Sequence, residues 1–190
     1  MIETKELINK VRYKVKDLNK THYSDYDILQ AINEVVGCIN QSVALKNSDF
    51  LEKAKEFEVE YENQFEVEGL RIPHDLIVLV DIADAQCHCV LHPIPAIEEL
   101  KPNTYKIVGE KIYTKHNKIK LLYRARIPEL DTLKDDILLP DFMKQFMINT
   151  TCVALGSTGS VLAEEVTTNL ERIIPGRRYV NARIKMPFMI

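Results

Sequence analysis

Tyr23-Ser24-Asp25-Tyr26-Asp27-Ile28-Leu29-Gln30-Ala31-Ile32-Asn33-Glu34-Val35-Val36-Gly37-Cys38-Ile39-Asn40-Gln41-Ser42-Val43 is the stretch that decides the fold. Its start and its buried face are both written in residues. Ser24 can accept a hydrogen bond from the backbone N–H of Asp27 while the Asp27 carboxylate reaches back to Ser24. Tyr23 can pack on Ile28 across the same turn, so a capping box and a hydrophobic staple coincide. Asp25 and Asp27 complement the positive end of the helix dipole. Ile28, Leu29, Ile32, Val35, Val36, Ile39 and Val43 then recur at helical spacing and lay down one apolar stripe, which demands a partner helix. Gly37 costs about 1 kcal/mol relative to Ala inside a helix, and so predicts a second backbone approaching closely there.

Candidate partners lie on both sides. Residues 4–18 predict a first helix with Leu7, Ile8, Val11, Val15 and Leu18 on one face and Lys10, Lys14 and Lys16 away from it. The connection Asn19-Lys20-Thr21-His22 is short enough to make the first two helices antiparallel neighbours. The second ends near Lys46, where Asn47-Ser48-Asp49 supplies turn chemistry. Far downstream, Leu138-Leu139-Pro140-Asp141 opens a third long helix with Phe142, Met143, Phe146, Met147, Thr150, Val153 and Ala154 inward, stopped by Gly156. A tight loop, Ser157-Thr158-Gly159-Ser160, leads to a last helix from about Val161 to Ile173, with Leu162, Val166, Leu170 and Ile173 inward and Pro175-Gly176 beyond it.

Between these helix pairs the period changes to two. Phe57, Val59 and Tyr61 alternate with Glu56, Glu58, Glu60 and Glu62, and Phe65 and Val67 alternate with Glu66 and Glu68, which predicts a hairpin of half-buried strands with a row of carboxylates outside. After Gly69, Pro73 fixes φ and pushes Ile72 extended, turning a corner into the strand Ile77–Ile82. Ala83–Val90 is expected to continue extended, and Pro93–Leu100 to form a short helix opened by Pro95. Tyr105–Tyr113 is a hairpin about Gly109, and Lys118–Ala125 is a further strand with Ile119, Leu121 and Tyr123 on one face. Asp131–Ile137 is a polar linker. The expected fold class is α+β: a helical bundle from residues 1–48 and 132–174, an inserted antiparallel β domain over 49–131, and a C-terminal extension over 175–190.

With 190 residues, 46% hydrophobic and 28% charged, the chain can build one sizeable core or two small ones. The longest aliphatic run, Leu76–Val80, is stopped by Asp81, far short of the roughly 20 residues that span a bilayer. Met1-Ile2-Glu3-Thr4-Lys5 lacks an apolar core, so cytosolic synthesis is expected. Cys38, Cys87, Cys89 and Cys152 are scattered and expected as free thiols. The net charge of −3 hides an asymmetry: residues 171–190 carry +4, which leaves −7 for residues 1–170. The basic segment reads either as an interaction arm for an acidic surface or as a solvated end.

Three stretches together carry a resemblance. Tyr23-Ser24-Asp25 with Asn33-Glu34 after two aliphatics, the step Ile72-Pro73-His74-Asp75 into an apolar strand, and the entry Leu139-Pro140-Asp141 to a C-terminal helix occur in the order seen in head-to-tail adaptor (connector) proteins of tailed bacteriophages. The chain resembles the tail-tubular-protein-A-like adaptors of short-tailed phages over roughly residues 4–174. What the resemblance implies is a structural virion protein without enzymatic activity or cofactor. Copies would form a ring, typically of twelve, beneath the portal protein and present a lower surface to the next tail component, with DNA passing unread through the lumen. The carboxylates of Glu56, Glu58, Glu60 and Glu62 are then either a solvated face or the lining of that channel, where like charge keeps phosphate from sticking. The other class open to the sequence is a cytosolic binding module whose basic segment contacts nucleic acid.

The basic segment itself alternates, with Val180, Ala182, Ile184 and Met186 against Tyr179, Asn181, Arg183 and Lys185, and closes on Pro187-Phe188-Met189-Ile190. An apolar end on a strand-capable segment suggests burial elsewhere, either against its own body or as a strand added to a neighbour's sheet. Arg177, Arg178, Tyr179, Arg183, Lys185, Phe188 and Ile190 are the candidate residues for docking on the portal or an adjacent subunit. Cys87-His88-Cys89 with His92 invites a metal, but strand geometry would split them between faces, and the cysteines are read as small buried apolar residues. Gly156-Ser157-Thr158-Gly159-Ser160 lacks the Lys and the preceding strand of a phosphate loop. The five histidines lie in separate segments and suggest no nucleophile and base.

Overall fold

A computed structural model describes residues 1–45, 50–59, 61–63, 66–67, 69–156 and 159–174, and side chains within 1–45, 50–59, 69–156 and 162–174. The architecture is mixed α+β, with four α-helices and several small, mostly antiparallel sheets among the described residues. A two-residue strand β1 (Ile2–Glu3) leads into α1 (Thr4–Val15) and α2 (Asp25–Leu45). The sheet region follows: β2 (Glu52–Glu58), β3 (Tyr61–Asn63), β4 (Glu66–Val67), β5 (Leu70–Arg71), β6 (Leu76–Asp84), β7 (His92–Pro93), β8 (Thr104–Val108), β9 (Lys111–Thr114) and β10 (Lys118–Ala125). Strand β11 (Asp136–Ile137) returns to pair with β1, and a 3-10 turn at Asp141–Met143 opens into α3 (Lys144–Ala154) and α4 (Gly159–Ile173).

Helix α2 starts as its residues dictate. The Asp27 carboxylate accepts the Ser24 N–H at 2.7 Å, and the Ser24 hydroxyl accepts the Asp27 N–H at 3.1 Å. Its apolar stripe is buried from Ile28 to Val43, in one cluster with Leu7, Ile8 and Val11 of α1, Phe146 and Met147 of α3, and Leu162, Val166 and Leu170 of α4. Around Gly37, however, a Cβ would meet nothing within 4 Å, so the expected close approach of another backbone is absent.

Helix α1 stops three residues earlier than its pattern predicts, and the reason is a buried ionic knot. Lys16 takes a left-handed conformation, and Asp17 turns inward. The Asp17 carboxylate accepts the backbone N–H groups of Thr21, His22 and Tyr23. Arg12, only 3% exposed, reaches Asp17 at 3.3 Å, Asp25 at 2.6 Å and the Tyr23 carbonyl at 2.8 Å. Leu18, expected on the inner face, is therefore swung out and 64% exposed.

A second apolar cluster holds Val59, Ile82, Leu91, Ile112, Ile119, Leu121, Tyr123 and Ala125. Strand β10 is central, with β2 and β6 antiparallel on either side, while β5, β9, β8 and β7 form a second sheet. The β8–β9 hairpin turns at Gly109, whose φ of +60° suits a tight two-residue connection. Gly69 enters β5 at φ +76°, where a Cβ would sit 2.8 Å from the Tyr113 ring, so only glycine fits.

The structure corrects four further expectations. The period-two run is not one hairpin: β2 pairs with β10, and only the short β3 and β4 pair with each other. Residues beyond Asp84 do not continue the strand. The Asp84 carboxylate accepts the N–H groups of Gln86 and Cys87, and the chain folds back so that Val90 bridges Ala83. Pro95–Glu98 is a single turn, closed by the Glu98 N–H on the Pro95 carbonyl, and not a helix. Finally, Phe142 lies in the 3-10 turn, whose tighter winding shifts it out of phase with α3 and leaves it 62% exposed.

Candidate assembly surfaces

Two clasps tie the segment that leaves β10 to α2. Asn33 and Asn40 stand two turns apart on the same face of the helix. Asn33 donates to the Leu130 carbonyl and accepts the Leu130 N–H, both at 2.9 Å. Asn40 does the same with Ile127, at 3.0 and 2.9 Å. The buried Arg124 guanidinium adds a bond to the Val43 carbonyl near the end of α2. These contacts set the helical cluster and the sheet cluster side by side.

Beside them an open apolar groove of about 640 Å³ runs between the start of the 3-10 turn and the end of α4. Met1, Phe50, Leu138, Pro140, Phe142 and Ile174 line it, and Met1, Leu138 and Phe142 are well exposed. Its edge carries both signs: the exposed Asp141 carboxylate lies 3.5 Å from the amino group of Met1, and Glu3 faces Asp136 directly across the β1–β11 ribbon. A second shelf, at the end of α1 and the residues just after it, exposes Tyr13 and Leu18 among Lys10, Lys14 and Lys16.

Of the candidate channel residues, Glu56 and Glu58 are exposed on β2, an edge strand. Glu56 forms an ion pair with Lys118 at 3.3 Å, and Lys118 stands opposite Glu58 in the register, so this part of the row is interleaved with lysine. Glu60 lies outside the described residues, as does the side chain of Glu62. The docking candidates Arg177, Arg178, Tyr179, Arg183, Lys185, Phe188 and Ile190 also lie outside them.

Cys87 and Cys89 are exposed, contrary to their reading as buried apolar residues, because the turn held by Asp84 lifts them off the sheet. Among the described residues no cluster of three histidine, cysteine, aspartate or glutamate side chains could hold a metal. Sequence spacing missed one pairing. His116 Nδ1 bonds to Asp84, drawn together by the turn after β6 and the loop before β10. Asp84 is held below the usual carboxylate range by the Cys87 N–H first, then by the Gln86 N–H and His116, against the opposing effect of burial. Each of these partners holds a turn in place, and no nucleophile is positioned beside the imidazole by a hydrogen bond among the described residues. No helix among the described residues is long and apolar enough to cross a membrane.

No family model matches the sequence, and no curated protein matches it.

Proposed function

We infer that this chain is a structural subunit of a tailed-phage virion, a head-to-tail adaptor that forms a ring beneath the portal and joins the capsid to the tail. In this reading the two terminal helix pairs form a bundle, the sheet region is an insertion, and residues 175–190 are an arm toward the portal or the next subunit. The observation that carries it is the placement of the three stretches behind the resemblance, each at a joint of the fold. Asp27 closes the first turn of α2. The backbone carbonyl of Asp75 accepts the Arg126 N–H at 2.6 Å, and its side chain accepts from Tyr123 and Lys53 at the entry to β6. Pro140 accepts the Met143 N–H in the turn that opens α3. A ring subunit also needs two different surfaces that fit each other. The apolar groove and the lysine-bearing shelf at the end of α1 are two different exposed surfaces available for such a contact.

The test is assembly with the portal protein of the phage that this reading implies, followed by negative-stain microscopy. Closed rings on the portal support the reading, and deleting Arg177–Ile190 should leave a folded protein that no longer joins it. Absence of rings, together with a duplex-DNA mobility shift that collapses as salt is raised, would replace the adaptor with the nucleic-acid-binding module.

A further inference from the structure

The hairpin tip that follows β6 brings two thiols together, and we propose that Cys87 and Cys89 act as one redox pair, closing an intramolecular disulfide by exchange with low-molecular-weight disulfides. The pair is independent of the adaptor reading. Its tip is tied down at the base. Ala83 bridges Val90, and the Leu91 N–H donates to the Ile82 carbonyl at 2.8 Å. Further out, the Asp84 N–H donates to the Cys89 carbonyl at 2.9 Å, and the Asp84 carbonyl accepts the His88 N–H at 3.0 Å. One oxygen of the Asp84 carboxylate accepts the N–H groups of Gln86 at 2.5 Å and Cys87 at 2.9 Å, while His116 holds the other. The backbone that carries both cysteines is therefore fixed in the reduced protein.

The residue between them sets their separation. His88 has a φ of +57°, a left-handed conformation that histidine adopts more readily than most residues. Such a residue brings the Cα atoms of its two neighbours to about 5.4 Å, against roughly 7 Å across an extended residue. A disulfide takes a Cα separation of about 4.4–6.8 Å, so the left-handed turn places the cysteines within reach and a straight strand would not. The side chains follow the backbone. Cys89 Sγ lies 3.7 Å from the Cys87 carbonyl oxygen. A hydrogen bond with the Cys87 side chain is the largest cause raising the Cys89 thiol above its usual range, so the two sulfurs face each other.

Both residues are exposed, so a small disulfide can reach them. The raised Cys89 thiol keeps its proton, which leaves Cys87 as the first attacker. Its thiolate attacks one sulfur of the small disulfide, the S–S bond breaks, and one small thiolate leaves and takes up a proton. Cys89 then gives its proton to water and attacks the Cys87 sulfur of the mixed disulfide, expelling the second small thiol. The pair is oxidised by two electrons and one small disulfide is reduced to two thiols. Because the second step joins groups already adjacent, the mixed disulfide is short-lived. Zinc suits the pair less well. A structural zinc site takes about four ligands, and among the described residues no group of three histidine, cysteine, aspartate or glutamate side chains could hold a metal.

The experiment incubates the reduced full chain with mixtures of oxidised and reduced glutathione, quenches with N-ethylmaleimide and maps the products by mass spectrometry. A loss of two hydrogens is expected within the peptide that carries both Cys87 and Cys89. Cys87→Ser and Cys89→Ser should each instead retain glutathione on the remaining cysteine, at least tenfold more than the wild type does. Stable glutathione adducts on both wild-type cysteines, disulfides between chains, or no oxidation of the pair overturns the proposal. A second measurement leaves the sequence untouched. Phenylarsine oxide bridges two sulfurs only where they are adjacent, forming two As–S bonds as one water leaves. One equivalent should shield Cys87 and Cys89 together from N-ethylmaleimide in the native protein, and failure to shield them overturns the pairing equally.

Discussion

The side-chain amide of Asn40 exchanges two hydrogen bonds with the backbone of Ile127, donating to its carbonyl at 3.0 Å and accepting its N–H at 2.9 Å. Both residues are buried. Replacing Asn40 with Ala leaves a buried N–H and C=O without partners, at a cost of about 2 kcal/mol. Urea unfolding should show a lower midpoint with an unchanged slope. Asn33→Ala, at a less buried clasp, should cost less.

Gly37 lies inside α2 with open space where a Cβ would go. Gly37→Ala should therefore stabilise the protein by about 1 kcal/mol through helix propensity and reduced freedom of the unfolded chain. Thermal unfolding should shift upward by roughly 2–4 °C. A downward shift would mean that something packs against that position after all.

Acid should loosen the knot between α1 and α2. Burial opposes ionisation of Asp17, but the N–H groups of Tyr23, Thr21 and His22 and the Thr21 hydroxyl outweigh it and hold the carboxyl far below its usual range. Asp25 is lowered as well, by its bonds to Lys20 and Arg12. Groups depressed in this way contribute stability that is present above the unfolded-state pKa of about 4 and lost as pH falls through the folded-state values. Wild-type stability should thus fall on acidification below that pKa, and Asp17→Asn should be destabilised at pH 7 with a shallower fall. Arg12→Ala, which strands the buried carboxylate, should cost about 3 kcal/mol at neutral pH.

The cysteines should divide in two under a thiol reagent. Cys87 and Cys89 are exposed, and Cys38 and Cys152 are half-buried with thiols pushed up by burial. Two equivalents should react fast and two slowly, and all four should react together in denaturant. Four fast equivalents in the native protein would contradict the packing of α2 and α3.

Periodicity and capping chemistry made the four helices, the Gly109 hairpin and strand β10 legible, because those signals are local. Leu18 and Phe142 were misplaced for a related reason: each sits where an end effect, a left-handed Lys16 or a 3-10 turn, breaks the phase of an otherwise regular stripe. The Arg12 knot, the Asn40 clasp and the Asp84–His116 pair join residues 5 to 87 positions apart, and no spacing rule reaches them. Within the candidate surfaces, the alternation of Glu56 and Glu58 marked an exposed edge, but the lysine opposite comes from a strand 60 residues downstream. The apolar groove combines Met1, Phe50, Phe142 and Ile174, which only the fold brings together.

The two asparagine clasps have a mechanical consequence. They lie about 10 Å apart along α2. A pull on the sheet end directed along that helix strains all four hydrogen bonds at the same moment, in shear, whereas a pull across it would peel them one pair at a time. The joint is stiff in one direction and weak in the other, so the protein can transmit thrust along the α2 axis without coming apart at its waist.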